Sequence, residues 1–502
     1  MDSFNDNALS AYFPGLVDIC QGDDGQLFYA IIKDGELVFV PEYSTETETF
    51  SIPERKHFPF PLPRASEVER HYKQDDESLY DDLLTYLKRF SALDDEQWAV
   101  VAHYVCLTYL HDHPGIDYCG YLLFYAVPER GKSRTGKSVT NVAYRGIHLV
   151  ELREATIFRY SEYLHGTLFF DLQDFSKKAE RNGSDDILLL RAEKGARCCR
   201  ILNSDDGPFN DMSYFGIYGP TIIATNEPLH KIQETRCLPI IMPNRPGNYE
   251  NPRPELALEL KERLTAWRAK NLAASFPDLE PIEGISGRLW DITKPMFFIN
   301  SLLPVDSETL EHAIHTIAGE RDESRQETIE GRLMRIIKEI SDEGGLDRFV
   351  EWSIKIGDIR NKFNQGRPDD RHVSPHWIGR KLKSMSFHTR QVHGYSEIKI
   401  TAAEYALLLM QYGLAGRDCR KSTESLPDKV ELNQDVLTLV DFGRLSGDVR
   451  GGTTFNGPEE HQVYFDILKA LKAEGGRSRD EMESLCMAAV EQWRRDHGDL
   501  PF

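Results

Sequence analysis

The sequence predicts an α/β fold: a parallel sheet between helices, preceded by a small β-rich unit and followed by a helical lid and a winged helix. Three observations carry this reading. Between residues 120 and 246, short apolar runs such as "YLLFYAV", "GTLFFD" and "TIIAT" alternate with helical spacing, the pattern of buried parallel strands. Residues 1–60 hold short β-like runs instead, with Asp34-Gly35 between two apolar segments as a hairpin signal. From 351 to 412 the patterns run helix, helix, hairpin, closing helix.

Taken in order, residues 1–63 form the β-rich unit, closed by the breaker run "FPFPLP". Residues 64–114 form a helical collar, because "SLYDDLLTYLKRF" and "DEQWAVVAHYVCLTYL" space apolar residues three and four apart. The α/β core covers 115–250. A helical lid covers 251–325, and the polar run "AGERDESRQETIEGR" at 318–332 reads as a linker or a solvated helix face. The winged helix takes 326–414. A C-terminal appendage, 415–502, ends in the amphipathic run "RDEMESLCMAAVEQWRRD".

Composition narrows the chemistry. A chain of 502 residues exceeds one ordinary hydrophobic core, so several parts are expected. A net charge of -21 excludes a uniformly basic coat for nucleic acid, and any such contact requires a local basic surface. The eight cysteines include no Cys-x-x-Cys pair, which argues against a zinc ribbon and for buried thiols in a reducing compartment. The N-terminus lacks an apolar signal segment and no run approaches 18 apolar residues. The expectation is a cytoplasmic protein without a membrane partner.

The stretch "ERGKSRTGKS" follows the strand run "YLLFYAV". Gly131, Lys132, Ser133, Arg134, Thr135, Gly136, Lys137 and Ser138 fit the pattern Gly-x4-Gly-Lys-Ser of a phosphate loop. In this reading their backbone N–H groups hold the phosphates of ATP. Lys137 meets the β and γ oxygens, and Ser138 holds Mg²⁺. Asp171, 34 residues past Lys137 at the end of "GTLFFD", supplies the metal-side carboxylate. Asn226 at the exit of "TIIAT" can hold the attacking water or touch the γ-phosphate, and Arg236 stands directly before the next apolar strand.

The order of these segments resembles the AAA+ branch of P-loop ATPases. Within it, the resemblance is nearest to ATPase domains of helicases and primase-helicases of phages, plasmids and other mobile elements. "REATIFRYSEYLHGTLFFD" and "EKGARCCRIL" add to it, and the likeness runs from about 115 to 305, more weakly to about 412. It implies that Asn226 is the sensor on the strand beside the carboxylate strand. It implies that Arg236, in "TRC", acts in trans on a neighbour's γ-phosphate, and that Arg288 is the lid arginine. It also implies a homo-oligomeric ring, a hexamer being the expected size. One departure stands out: Leu172 occupies the place of the glutamate that usually follows the carboxylate, leaving Asp174 as the next acid to serve as base.

A second informative region follows. In "VSPHWIGRKLKSM", Ser374 suits an N-cap and Pro375 the first helical position. Trp377, Ile378, Leu382 and Met385 can face inward, leaving Arg380, Lys381 and Lys383 outward. Residues 371–400 hold six Lys or Arg against one Glu, so these three, with Arg390 and Lys399 on the hairpin, form the expected DNA contact. The expected function is an ATP-hydrolysing, ring-forming motor on DNA: a helicase or replication-initiation ATPase of a mobile element, with replication proteins as further partners. Two alternatives stay open. One is a DNA-bound loader or regulator using ATP binding as an assembly switch, and the other a nucleotide-binding scaffold with no DNA role.

Overall fold

Apolar alternation in the first fifty residues produces six short strands. They are β1 (Asn7–Leu9), β2 (Leu16–Gln21), β3 (Leu27–Lys33), β4 (Glu36–Val40), β5 (Glu42–Ser44) and β6 (Thr49–Ser51). The structure, a computed structural model, describes residues 7–415 apart from 203–206, 208, 209, 228, 230, 347, 348, 369, 370 and 393. Strands β2, β3 and β4 form one sheet and β1, β6 and β5 another. Asp34 and Gly35 turn β3 into β4 with φ of 55° and 82°. Two left-handed residues in series are what a two-residue hairpin turn needs, so the expected hairpin is present.

Three helices follow: α1 (Ala65–Tyr72), α2 (Leu79–Lys88) and α3 (Asp95–Leu110). A capping box of Asp94 and Gln97 starts α3. From Trp98 to Leu110 every residue of α3 is buried, so the helix runs through the interior rather than along a surface. The segment expected as a collar therefore shares one apolar core with α9 (Leu258–Asn271), α10 (Gly287–Ser301) and α11 (Glu308–Glu327). The segments expected as collar and lid form a single helical layer.

That layer covers one face of the central sheet. The chain there runs β7 (Tyr121–Tyr125), α4 (Lys132–Val142), β8 (Ile147–Leu149), α5 (Glu154–Leu164) and β9 (Leu168–Asp171). It continues through α6 (Phe175–Arg181), α7 (Asp185–Leu190), β10 (Arg197–Ile201), β11 (Met212–Gly216), β12 (Thr221–Thr225), α8 (Lys231–Glu234) and β13 (Cys237–Ile241). Five strands pair in the order β13-β7-β12-β9-β8, every pairing parallel. Leu122, Phe124, Phe169, Ile222 and Leu238 point into the helical layer. Their neighbours Leu123, Leu168, Phe170, Ile223 and Cys237 point the other way, into a core shared with α5, α6 and the β-rich unit. This period of two is what a sheet buried on both faces requires. Between β9 and β12 stands the antiparallel β10–β11 hairpin, which exposes Ile201, Leu202, Met212 and Tyr214.

The last described part has its own core. It comprises α12 (Ile329–Gly344), β14 (Glu351–Lys355), α13 (Ile356–Asn364), α14 (Pro375–Ser384), β15 (His388–Val392), β16 (Tyr395–Thr401) and α15 (Ala402–Gln411). Its antiparallel sheet has the order β14-β16-β15. Ser374 caps α14 by accepting the Trp377 N–H at 3.2 Å, with Pro375 at the first helical position, as expected. Strand β14 was absent from the sequence reading. The polar run 318–332 belongs to helices: it ends α11, breaks at Thr328, and begins α12. The appendage expected from 415 onward, with its amphipathic run, lies outside the described residues. No helix among the described residues is long and apolar enough to cross a membrane.

Buried charges join the β-rich unit to the rest. Arg145 bonds Asp18 on β2 at 2.8 Å, and its Nη1 donates to the Ala11 and Leu164 carbonyls. Arg268 on α9 donates to the Leu16 and Val17 carbonyls and, through both terminal nitrogens, to Asp112 at 2.7 Å. Two neutral histidines line this joint. Burial pushes His111 down to about 4, and burial together with His111 pushes His165 down to about 3. An unfolded histidine has its ordinary value near 6.5, so below that pH the unfolded chain takes up protons the folded chain refuses. Stability is therefore fully present above pH 6.5 and falls as pH drops toward 4. The upper limit is about 1.4 kcal/mol per pH unit per histidine. Thermal unfolding at pH 7.5 and pH 5 should show a clear fall in Tm, smaller in His165→Phe. An equal Tm at both pH values contradicts the buried-neutral assignment.

Candidate functional site

A cleft of about 1080 Å³ opens at the C-terminal edge of the parallel sheet, the edge where α/β sheets bind ligands. It is lined by the segments leaving four of the strands: Val127–Arg134 after β7, Asp171–Gln173 at the end of β9, Ala224–Asn226 at the end of β12, and residues 243–247 and Tyr249 after β13. Its described lining carries five basic side chains, Arg130, Lys132, Arg134, Lys178 and Arg245, against Glu129 and Asp171. In a chain of net charge -21, that concentration marks an anion site.

The end of the cleft at α4 is built by one turn of backbone. β7 ends at Tyr125, five residues of loop follow, and Gly131, at φ 84°, is the N-cap of α4. Only a residue that tolerates the left-handed region without strain suits this place. The first N–H groups of α4 have no partner within the helix and face outward with the positive end of its dipole. Lys132 opens the helix. Its Nζ reaches back to the Val127 carbonyl at 2.7 Å, spanning the loop. Burial lowers its pKa from the usual lysine value, and Asp171 partly opposes this. Next to it, the Ser133 hydroxyl donates to Asp171 Oδ1 at 2.8 Å. Arg130, within the loop, has a buried Nη1 with no hydrogen-bond partner among the described residues.

The structure divides the expected loop between the cleft and the helix. Gly131, Lys132, Ser133 and Arg134 line the cleft, whereas Thr135, Gly136, Lys137 and Ser138 lie in the body of α4. Five residues of helix carry Lys137 and Ser138 about 7.5 Å beyond Lys132 and Ser133. Lys137 is exposed and outside the cleft lining, and Ser138 is fully buried with its hydroxyl on the Thr135 carbonyl at 2.8 Å. Thr135 is likewise buried and donates to the Gly131 carbonyl. Gly136 serves packing: a Cβ there would collide with the Phe169 ring of β9. The sequence holds two Gly-Lys-Ser triplets, and the strict pattern selects the second because Ala126 stands where the first would need glycine. Distance from the strand end was the signal that favoured the first.

The remaining expected residues divide. Asp171 and Asn226 meet at the cleft from the adjacent strands β9 and β12, which pair Asp171 with Ala224. Asp174 does not line it. Held at φ 53° as the N-cap of α6, it shares a hydrogen bond with Glu227 and lies 3.5 Å from Lys177. The hydrogen bond from Glu227, then the Lys177 charge, hold its carboxyl below the usual range. Among the described residues, the carboxylates that line the cleft are Asp171 and Glu129.

Arg236 precedes β13, at the N-terminal edge of the sheet. A five-residue strand, roughly 17 Å, separates it from its own chain's cleft. Arg288, at the start of α10, joins Arg236 there instead of reaching the cleft. Its guanidinium lies over the Tyr118 ring at 5.9 Å. Burial first, then the Arg288 charge, hold Arg236 below its ordinary value.

Of the five basic residues expected to meet DNA, Lys381 pairs with Glu330 at 2.5 Å, Arg390 with Glu397 at 2.6 Å and Lys399 with Glu351 at 2.6 Å. Two of those carboxylates come from α12 and β14, outside the segment whose charge was counted. Arg380 and Lys383 are exposed on α14 and hold no ion pair among the described residues.

Comparison with known proteins yields solved structures at low similarity. No family model and no curated protein matches the chain. An active helicase, Cch of SCCmec type IV, aligns at 12% identity and TM-score 0.34 over 80% of each chain. An apo form of the NrS-1 C-terminal region aligns at 10% identity and TM-score 0.32, over 76% of this chain and 96% of that one. A second apo structure of the same region gives 12% and 0.34, over 77% and 97%.

Proposed function

We propose that the cleft binds Mg·ATP and that the protein is an AAA+-type ATPase acting on DNA, as a helicase or replication-initiation motor. The observation that carries the nucleotide reading is the Ser133–Asp171 hydrogen bond beside Lys132 at the N-terminus of α4. A hydroxyl and a carboxylate oxygen side by side suit Mg²⁺, which takes oxygen ligands and keeps several waters. Ser133 and Asp171 would hold the metal, which neutralises phosphate charge when bound. Lys132 would exchange the Val127 carbonyl for the β and γ oxygens, and the α4 N–H groups and Arg130 would take the others. Asn226, which lines the same cleft, would orient water.

Arg236 supports a ring, because its position suits a neighbour's phosphate and not its own. Glu129 is the carboxylate in the lining that remains to polarise water once Asp171 holds metal. A second reading, ATP binding as an assembly switch, is favoured by Asp174 lying outside the cleft. Steady-state ATP turnover with and without DNA separates the two.

Helix α14 and the β15–β16 hairpin, read as a winged helix, would supply the DNA contact through Arg380 and Lys383. Replacing both with Ala should weaken duplex binding and reduce the slope of log affinity on log salt by about 2. Lys381→Ala, whose charge already serves Glu330, should change the slope less. Equal effects from all three side chains would contradict the assignment. Salt titrations of fluorescent duplex measure both.

A further inference from the structure

Two arginines meet on one aromatic ring in the part of the fold that carries α14. Phe363, near the end of α13, is fully buried. The Arg367 guanidinium lies 4.2 Å from its ring centroid, and that of Arg332 on α12 lies 4.9 Å from it. The half-buried Trp377 of α14 packs on the same ring at 5.8 Å between centroids. Arg332 Nη2 also donates to the Phe363 carbonyl at 3.1 Å. The turn that holds Arg367 is fixed by its own bonds. Its N–H donates to the Asn364 carbonyl at 3.0 Å, and its carbonyl accepts from the His372 ring at 2.9 Å. The buried Asn364 side chain closes the connection to α14, donating to the Val373 carbonyl and accepting the Val373 N–H, both at 3.0 Å.

Neither arginine holds an ion pair among the described residues, which exclude Asp369 and Asp370. Other partly buried arginines do: Arg263 pairs with Asp76, and Arg200 with Glu154. Here like charge faces like charge instead. Partial burial first, then the Arg332 charge, hold Arg367 below its ordinary value. Two guanidiniums kept together repel each other. One anion taken between their N–H forks turns that repulsion into attraction. The neighbouring side chains favour one kind of anion. Trp377 shares the ring with the pair, and Arg380 and Lys383 follow it along α14, about 4.5 Å and 9 Å further. An aromatic ring with cations repeated beyond it suits a strand of repeated phosphates and bases rather than one free phosphate.

We propose that Arg332 and Arg367 together grip one backbone phosphate of a nucleic-acid strand, a contact beyond those of Arg380 and Lys383. The proposal rests on the reading of α14 as the DNA face, and the Arg380→Ala, Lys383→Ala double variant separates the two. The test is salt titration of fluorescent duplex against the full chain. It compares wild type, Arg367→Lys, that double variant, and Arg332→Gln combined with Arg367→Gln. The Gln pair should lower the slope of log affinity on log salt by about 1 rather than 2, because both side chains release one phosphate. Arg367→Lys keeps the charge and loses the fork, so it should keep the slope and weaken binding about 5-fold. Thermal melting of the same variants tells folding from contact. A lowered Tm with an unchanged slope makes the arginines packing groups and overturns the proposal. A slope lowered by about 2 overturns the shared phosphate. Binding of inorganic phosphate that the Gln pair abolishes, with the duplex slope unchanged, assigns a free-anion site and overturns it too. If the Gln pair changes nothing while the Ala pair lowers the slope, this contact falls and the DNA face stands. If wild type binds no duplex, both fall.

Discussion

Lys132→Ala is expected to weaken Mg·ATP binding by about 100-fold or more, roughly 3 kcal/mol at 1.4 kcal/mol per decade, while Lys137→Ala stays close to wild type. The reasoning is positional. An ammonium acts on a triphosphate only if it stands at the helix N-terminus, where the backbone N–H groups and the helix dipole already favour the anion. Lys132 stands there, bonded across the loop to the Val127 carbonyl, which a phosphate oxygen can replace. Lys137 is five residues further along α4 and exposed. A parallel pair, Ser133→Ala and Ser138→Ala, should divide the same way in Mg²⁺ dependence. Fluorescent-nucleotide titration reads both. A large loss in Lys137→Ala with Lys132→Ala unaffected would restore the strict-pattern register.

Arg268→Ala should destabilise the folded chain by about 3–5 kcal/mol, the cost of leaving a buried carboxylate uncompensated. Burial alone would raise the Asp112 pKa, but the Arg268 charge outweighs it and holds the carboxyl well below the usual range. The side chain also satisfies the Leu16 and Val17 carbonyls of the β-rich unit. Its loss therefore strips bonds from both sides of the joint. The double variant Arg268→Met with Asp112→Asn, which removes the charge along with its partner, should recover part of the loss. Chemical denaturation gives the magnitudes. A loss below 1 kcal/mol for Arg268→Ala would mean that the joint does not hold the unit.

Local signals were legible where the physics is local. The Asp34-Gly35 turn, the Ser374 cap and the buried strand runs needed only their neighbours in sequence, and each is present. The meeting of Asp171 and Asn226 at one cleft was legible too, because a residue at the exit of a buried parallel strand must emerge at the sheet's C-terminal edge. The division of residues 131–138 between cleft and helix was not, since Ala126 hides the first Gly-Lys-Ser from the strict pattern and only the strand's end point tells which triplet reaches the cleft. Net local charge also misled: Glu330 and Glu351 are distant in sequence, yet they claim Lys381 and Lys399. The collar escaped for a similar reason. A helix buried on every side shows weak amphipathic contrast, so nothing in α3 announced that it would share a core with α9, α10 and α11.

The most direct test of the central claim is steady-state ATP hydrolysis by the full chain with no DNA, with single strands and with duplex, using Lys132→Ala as the blank. The account predicts turnover that rises with DNA, disappears in Lys132→Ala and persists in Lys137→Ala. Tight Mg·ATP binding without turnover under every DNA condition would contradict the motor and leave ATP as an assembly switch.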